Sequence, residues 1–202
     1  MTGRFITLEG IEGAGKSTTI PFLEALIKSR GHDVVVTREP GGTPIGEKIR
    51  DILLADHSIT SMAELLLVFA ARAQHLDEII KPALERGQWV VCDRFTDASY
   101  AYQGGGRGMA MEWIGQLENM VQQSLRPDLC LLFDLPVEVG LTRARNRSEA
   151  DRFERERGEF FLRARQVYLE RAHAQAYPYA VIDAARSPKS VTEQVASALN
   201  FS

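Results

Sequence analysis

The chain has 202 residues, 45% of them hydrophobic and 25% charged, which is ordinary globular usage and excludes a disordered chain. A formal net charge of -3 excludes wholesale attraction to nucleic acid or an anionic membrane. It leaves room for a few placed arginines to bind a small anion. No apolar stretch approaches a membrane span and no leader pattern is visible, so the chain reads as soluble and cytoplasmic.

Residues 4–9 (RFITLE) read as a first strand. Gly10-Ile11-Glu12-Gly13-Ala14-Gly15-Lys16-Ser17 follows and satisfies G-x-x-x-x-G-K-[ST] in full, with Thr18 next. The chemistry needs this order of elements. Glycines let successive N–H groups face one point, and the helix that opens there adds positive potential. Lys16 then reaches the β- and γ-phosphates of a nucleotide, and the Ser17 hydroxyl ligates Mg²⁺. A glycine turn capping an ordinary helix is the bland alternative. The helix itself is expected over residues 17–30, stopped by Gly31.

Residues 33–37 (DVVVT) form the second expected strand. Arg38-Glu39-Pro40-Gly41-Gly42-Thr43-Pro44 follows as a stiff turn, with Arg38 at the carboxyl end of that strand. A helix is expected over residues 61–80, with apolar Leu65, Leu66, Phe69, Leu76 and Ile80, and with Pro82 kinking or restarting it. The third strand, residues 88–92 (QWVVC), ends at Asp93-Arg94. In open α/β sheets ligands bind at the carboxyl ends of strands, which brings both side chains to the phosphate loop. There an aspartate can hold Mg²⁺, directly or through water, and an arginine can bridge two phosphates. A surface ion pair would look the same in sequence.

Tyr102-Gln103-Gly104-Gly105-Gly106-Arg107-Gly108 reads as a glycine-rich loop. Its tyrosine and amide suit a sugar and a base edge, although a bare glycine run more often marks a flexible turn. Residues 129–134 (LCLLFD) and 180–183 (AVID) complete five strands. Their continuous apolar runs predict a mainly parallel sheet buried on both faces, with helices as right-handed crossovers. Residues 143–157, rich in arginine and acid, read as a charged loop between helices. The four histidines have no metal-ligand spacing, and Cys92 and Cys130 sit in apolar runs as buried thiols. No linker divides the chain, so residues 1–202 are expected to form one domain.

Six segments together resemble thymidylate kinase: LEGIEGAGKST, TREPGGTPIGEKIR, FAARAQHL, CDRFTDASYAYQGGGRG, RPDLCLLFDLPVEVGL and DRFE, in family order over nearly the whole chain. TREPGGT with YQGGGRG is the specific pair. The resemblance implies a three-layer P-loop NTPase fold with a five-stranded parallel sheet flanked by helices. It implies transfer of the γ-phosphate of ATP to dTMP with Mg²⁺, by a homodimer. ATP is expected on Gly10, Ile11, Glu12, Gly13, Ala14, Gly15, Lys16, Ser17 and Thr18, and the metal at Ser17 and Asp93. For dTMP it implies Arg38 and Arg94 on the phosphate, and Glu12 near the 3′-hydroxyl and the metal. Arg72, Ser99 and Gln103 would read the thymine edge, and Tyr102 would fill the space of a ribose 2′-hydroxyl.

Position 13 is Gly rather than the basic residue of one branch of the family. The resemblance is therefore to the bacterial branch, with catalytic arginines in a lid, here Arg147 and Arg152, beside Lys16, Arg94 and Glu12. The family's thymine-stacking aromatic lies four residues before Arg72, which here is Val68; Phe69, three before, is expected to stack instead. Ser148 stands where related lids often carry Gly. From the residues alone, a related kinase with another acceptor, a P-loop switch and a purely structural domain stay open.

Overall fold

The computed structural model describes residues 3–55, 58–145, 152–153, 156, 158–175 and 177–199. Five parallel strands lie in the order β2-β3-β1-β4-β5: β1 Phe5–Glu9, β2 Val34–Arg38, β3 Trp89–Asp93, β4 Leu129–Asp134 and β5 Tyr179–Asp183. Central β1 is buried along its whole length. The edges depart from the expectation of strands covered on both faces: Val36 in β2 and Val181 in β5 are 38% and 53% exposed. An edge strand has a neighbour on one side only, so its apolar side chains are covered by fewer elements.

Among the described residues the helices are α1 Lys16–Ser29, α2 Pro44–Leu54, α3 Ser61–His75, α4 Lys81–Glu85, α5 Thr96–Ser99, α6 Met111–Gln122, α7 Val137–Arg145, α8 Gly158–Ala174 and α9 Pro188–Ala198. Helix α1 ends as its sequence predicts. Gly31 takes φ +81°, its N–H reaches Lys28 O, and His32 N–H reaches Ile27 O, the paired bonds of a Schellman cap. Helix α2, which has no counterpart in the sequence reading, starts at Pro44 with the Thr43 hydroxyl accepting from Gly46 N–H at 2.9 Å. Pro82 does not break the chain's helical course. A π-helical turn, Leu76–Ile80, joins α3 to α4, so the proline sits in the first turn of α4, where no N–H is needed.

The glycine run after Tyr102 is not a loop. Residues Tyr100–Gly106 form a π-helical turn continuous with α5 and packed against α8. Its glycines serve close approach rather than flexibility. A Cβ on Gly105 would stand 2.8 Å from Arg163 O, and one on Gly106 would overlap the Phe160 ring. The turn carries Tyr102 and Gln103, so its seating on α8 sets their depth below the carboxyl edge of the sheet. Gly106→Ala tests this. Overpacking costs about 1–3 kcal/mol, more than the ~1 kcal/mol that helix propensity returns. Thermal unfolding is expected to move several degrees lower, whereas a free loop would be unchanged or stabilised.

Candidate active site

The carboxyl ends of β1, β2 and β3 open into one cleft, lined by the phosphate loop, Arg38, Arg50, Val68, Arg72, Asp93, Arg94, Ser99, Tyr102 and Gln103, among others. Gly10, Gly13 and Gly15 take φ +133°, +72° and +87°, conformations that side chains disfavour. Gly13 is required twice over: a Cβ there would also overlap Gly140 O in α7. The loop therefore seats directly on α7, and a basic residue at 13 would force the two apart. Lys16 is only 6% exposed, and its Nζ donates to Gly10 O at 2.8 Å and Ile11 O at 3.2 Å. Burial and the neighbouring Arg94 charge bring it from 10.5 down to about 8. Ser17 faces the cleft and is exposed; Thr18 is exposed on α1 and does not line the cleft.

Arg94 follows β3 in a left-handed backbone conformation, φ +69°. Its N–H reaches Leu8 O, and its guanidinium donates to Gly10 O at 2.8 Å and Glu12 Oε1 at 2.6 Å. The same Glu12 oxygen accepts from Tyr102 OH at 3.2 Å, and the Arg94 guanidinium carbon lies 5.0 Å from the Tyr102 ring centroid. Glu12, Arg94 and Tyr102 are thus one unit. Asp93 Oδ1 is buried and has no hydrogen-bond partner among the described residues.

The other wall is built on a buried guanidinium. Arg72, 1% exposed, donates from Nε to Glu39 Oε2 at 2.7 Å, and from Nη2 to Phe95 O at 2.9 Å and Ser99 Oγ at 3.0 Å. Its Nη1 has no partner among the described residues. Glu39 is held in turn by His75 Nδ1 at 3.0 Å, and His75 Nε2 meets Thr37 Oγ1 at 2.6 Å.

The expectation that Phe69 stacks on a ligand is not met. Phe69 is 2% exposed, packs with Leu65 and Ile114, and lies 4.6 Å under the Arg72 guanidinium. Val68 lines the cleft instead. On α3 successive residues point about 100° apart, so positions three and four before Arg72 fall on different sides of it. The aromatic residue lands in the core.

Arg38 is half exposed and pairs with Glu47 at 2.8 Å. Arg50, unassigned in the sequence reading, lines the cleft from α2 and donates to Pro40 O at 3.0 Å. Its signal would have been the helical spacing of PIGEKIR. Arg147 lies outside the described residues. Arg152 is described: it donates to Leu53 O at 2.8 Å and to Glu64 Oε2 in α3, and it is not among the residues that line the cleft.

Under the floor, Glu9 ends β1 with 1% exposure, accepting from Phe95 N–H at 2.7 Å and Tyr168 OH at 3.0 Å. Burial, followed by the charge of Asp97, raises its carboxyl from 4.5 to about 8.

These elements define a P-loop phosphotransferase of the nucleotide-kinase class: a phosphate loop on the central strand, an aspartate on the next strand, and arginines on the facing wall. The family model described as Thymidylate kinase matches residues 8–195. The chain is 58% identical over 197 residues to the thymidylate kinase of Pseudomonas putida, covering 96% of this chain and 94% of that protein. With that of Pseudomonas syringae pv. tomato it shares 60% over 189 residues, 93% and 90% of the two chains. Its fold matches the crystal structure of thymidylate kinase from Ehrlichia chaffeensis with a TM-score of 0.80 at 33% identity, over 99% of this chain and 100% of that one. The chain belongs to the thymidylate kinase family, which phosphorylates dTMP to dTDP using ATP.

The buried Glu9 yields a stability test. Between about pH 4.5 and pH 8 the folded chain holds a proton that the unfolded chain has released, so stability falls as pH rises through that window. Glu9→Gln cannot titrate. The melting temperature of Glu9→Gln minus that of the unaltered chain is expected to grow from about pH 5 to about pH 8 and then level off. A flat difference would show that Glu9 does not carry the proton.

Proposed function

We propose that residues 1–202 form a single P-loop kinase domain that transfers the γ-phosphate of ATP to dTMP in the cytoplasm, with Arg72 as the group that recognises the base. The unpartnered, buried Arg72 Nη1 carries this reading. A guanidinium N–H left unsatisfied in a buried wall costs stability until an acceptor arrives. The 4-oxo group of thymine is such an acceptor, whereas the 4-amino group of cytosine would set donor against donor. Ser99 and Gln103 complete the base edge. The Tyr102 ring, 6% exposed, is fixed by Glu12, Arg94 and the Phe160 ring at 5.8 Å, which suits exclusion of a ribose 2′-hydroxyl. Val68 supplies apolar contact where relatives stack an aromatic.

Phosphoryl transfer needs positioning and charge neutralisation more than covalent chemistry. The backbone amides of residues 10–18 and Lys16 hold the ATP phosphates. Arg38, Arg50 and Arg94 anchor the phosphate of dTMP, and Arg94 stands where both nucleotides meet. Glu12, released from Arg94 by the incoming phosphate, can take the sugar 3′-hydroxyl. No general base is needed, because the acceptor is already an anion. The Asp93 carboxylate oxygen without a partner and the Ser17 hydroxyl fit Mg²⁺, which takes one or two protein oxygens and completes its shell with phosphates and water. Bound there, it would neutralise charge on the transferring group. Arg147 keeps the role of lid arginine on the strength of the family resemblance, while the placement of Arg152 favours the acceptor side for that residue. The free, buried Cys92 and Cys130 accord with a reducing compartment.

With Mg²⁺ and ATP, a panel of monophosphates is expected to rank dTMP first, dUMP lower, and dCMP and the ribonucleotides far below, by kcat/KM from ADP formation. ADP release independent of any acceptor would instead mark an ATP-hydrolysing switch.

A homodimer belongs to the same reading. Met62 and Leu66 stand four residues apart on α3, and Trp113 and Met120 seven apart on α6, which packs beside it; they are 41%, 50%, 48% and 68% exposed. A second copy of the chain would cover this apolar face. Sedimentation at micromolar concentration is expected to give a dimer, and Leu66→Asp a monomer; a monomeric unaltered chain would remove the assignment.

A further inference from the structure

Glu64, in the first turn of α3, is 0% exposed and has no role in the reaction described above. Its Oε1 accepts from Gln103 Nε2 at 2.9 Å and Arg107 Nε at 3.3 Å, and its Oε2 from Arg107 Nη2 at 3.2 Å and Arg152 Nη2. Two guanidinium groups therefore compensate a carboxylate withdrawn from water, which otherwise would not be tolerated at that depth. The third partner is a neutral amide, and there the chemistry is directional. A carboxylate in that setting only accepts, so the NH₂ end of Gln103 must face Glu64. The orientation of the amide follows from this partner, independently of how its two ends are assigned in any one structure. The carbonyl oxygen of Gln103 is then left for the cleft that Gln103 lines beside Arg72 and Ser99.

We propose that Glu64 is a positioning residue for base selection: by holding the NH₂ end of Gln103, it makes that side chain an acceptor toward the nucleotide. The inference rests on the dTMP reading of the cleft and deepens it. Arg72 offers a donor and Gln103 an acceptor, the complement of a pyrimidine with a 4-oxo group and an N3–H. Cytosine, with a 4-amino group and a bare N3, mismatches both. Without Glu64, Gln103 can turn its amide over and satisfy either base. Arg107 and Arg152 keep the carboxylate compensated, and Phe153, next to Arg152, lines the same cleft 5.9 Å from the Tyr102 ring. One buried carboxylate thus orients the base-reading amide and holds Arg152.

The experiment compares kcat/KM for dTMP and dCMP in the unaltered chain, in Glu64→Gln, and in the exchange Glu64→Gln with Gln103→Glu. Glu64→Gln preserves size but can donate or accept, so the preference for dTMP over dCMP is expected to fall tenfold or more, mainly through a higher KM for dTMP. The exchange returns an acceptor to position 103, with the amide introduced at position 64 donating to it, and is expected to recover most of the lost discrimination. A Glu64→Gln chain that melts lower and slows equally with both nucleotides, its preference intact, would reduce Glu64 to an ion-pair hub and overturn the proposal. An exchange variant whose preference for dTMP over dCMP stays tenfold or more below that of the unaltered chain would do the same, and that comparison decides alone if Glu64→Gln does not fold. Equal use of dTMP and dCMP by the unaltered chain would overturn the reading of the cleft itself, a failure visible without any substitution.

Discussion

One wall of the cleft depends on one buried ion pair, Arg72 with Glu39, whose side chains are 1% and 3% exposed. Removing one partner of such a pair costs about 3–5 kcal/mol, because the other charge is left buried and uncompensated. The pair joins three elements that are distant in sequence. Glu39 follows the end of β2, Arg72 comes from the last turn of α3, and Phe95 and Ser99, which take the remaining guanidinium bonds, cap and end α5. His75 and Thr37 then fix the far side of Glu39. With Phe69 and Phe95 against its faces at 4.6 and 5.1 Å, the guanidinium has little freedom to turn. One N–H is left over, and it belongs to the cleft.

The phosphate-loop side obeys a different constraint. Positive groups crowd the phosphate loop, and the chain's own oxygens neutralise or occupy them: Gly10 O and Ile11 O on Lys16, Gly10 O and Glu12 on Arg94. These pairings limit the electrostatic strain of folding without ligand, and on the proposed reading a nucleotide phosphate would exchange with these oxygens. The seating of Gly13 on Gly140 links this loop to α7, the helix that leads toward the arginine-rich segment. Glycine at 13 is therefore a packing requirement of the contact with α7.

Buried polar groups recur as orienting devices around both halves. Glu9 holds Phe95 N–H from below, Glu39 holds Arg72, and Glu64 holds Gln103. Each of these side chains ends or neighbours a core element and fixes a group that lines the cleft. In a low-dielectric interior such hydrogen-bonded networks specify geometry more sharply than apolar contact does.

Much of this was legible in the chain itself. Five strands, their parallel arrangement, the phosphate loop and the stop at Gly31 follow from apolar runs, glycine spacing and cap chemistry, which are local properties. The strand-end rule placed Arg38, Asp93 and Arg94 on one cleft before any coordinates. Tertiary packing decided the rest. Phe69 and Val68 are adjacent, and only the side from which the core approaches α3 determines that the aromatic ring goes inward. The glycines of the YQGGGRG segment look like a flexible turn in sequence, whereas Gly104–Gly106 lie in a helical turn, with α6 too close to Gly104 and α8 too close to Gly105 and Gly106 for side chains. Arg152 reads as one more solvated or catalytic arginine until Glu64, 88 positions away, is seen to take it. Periodicity and spacing encode what a segment does with its own backbone; which side chain faces a ligand depends on neighbours that no local pattern records.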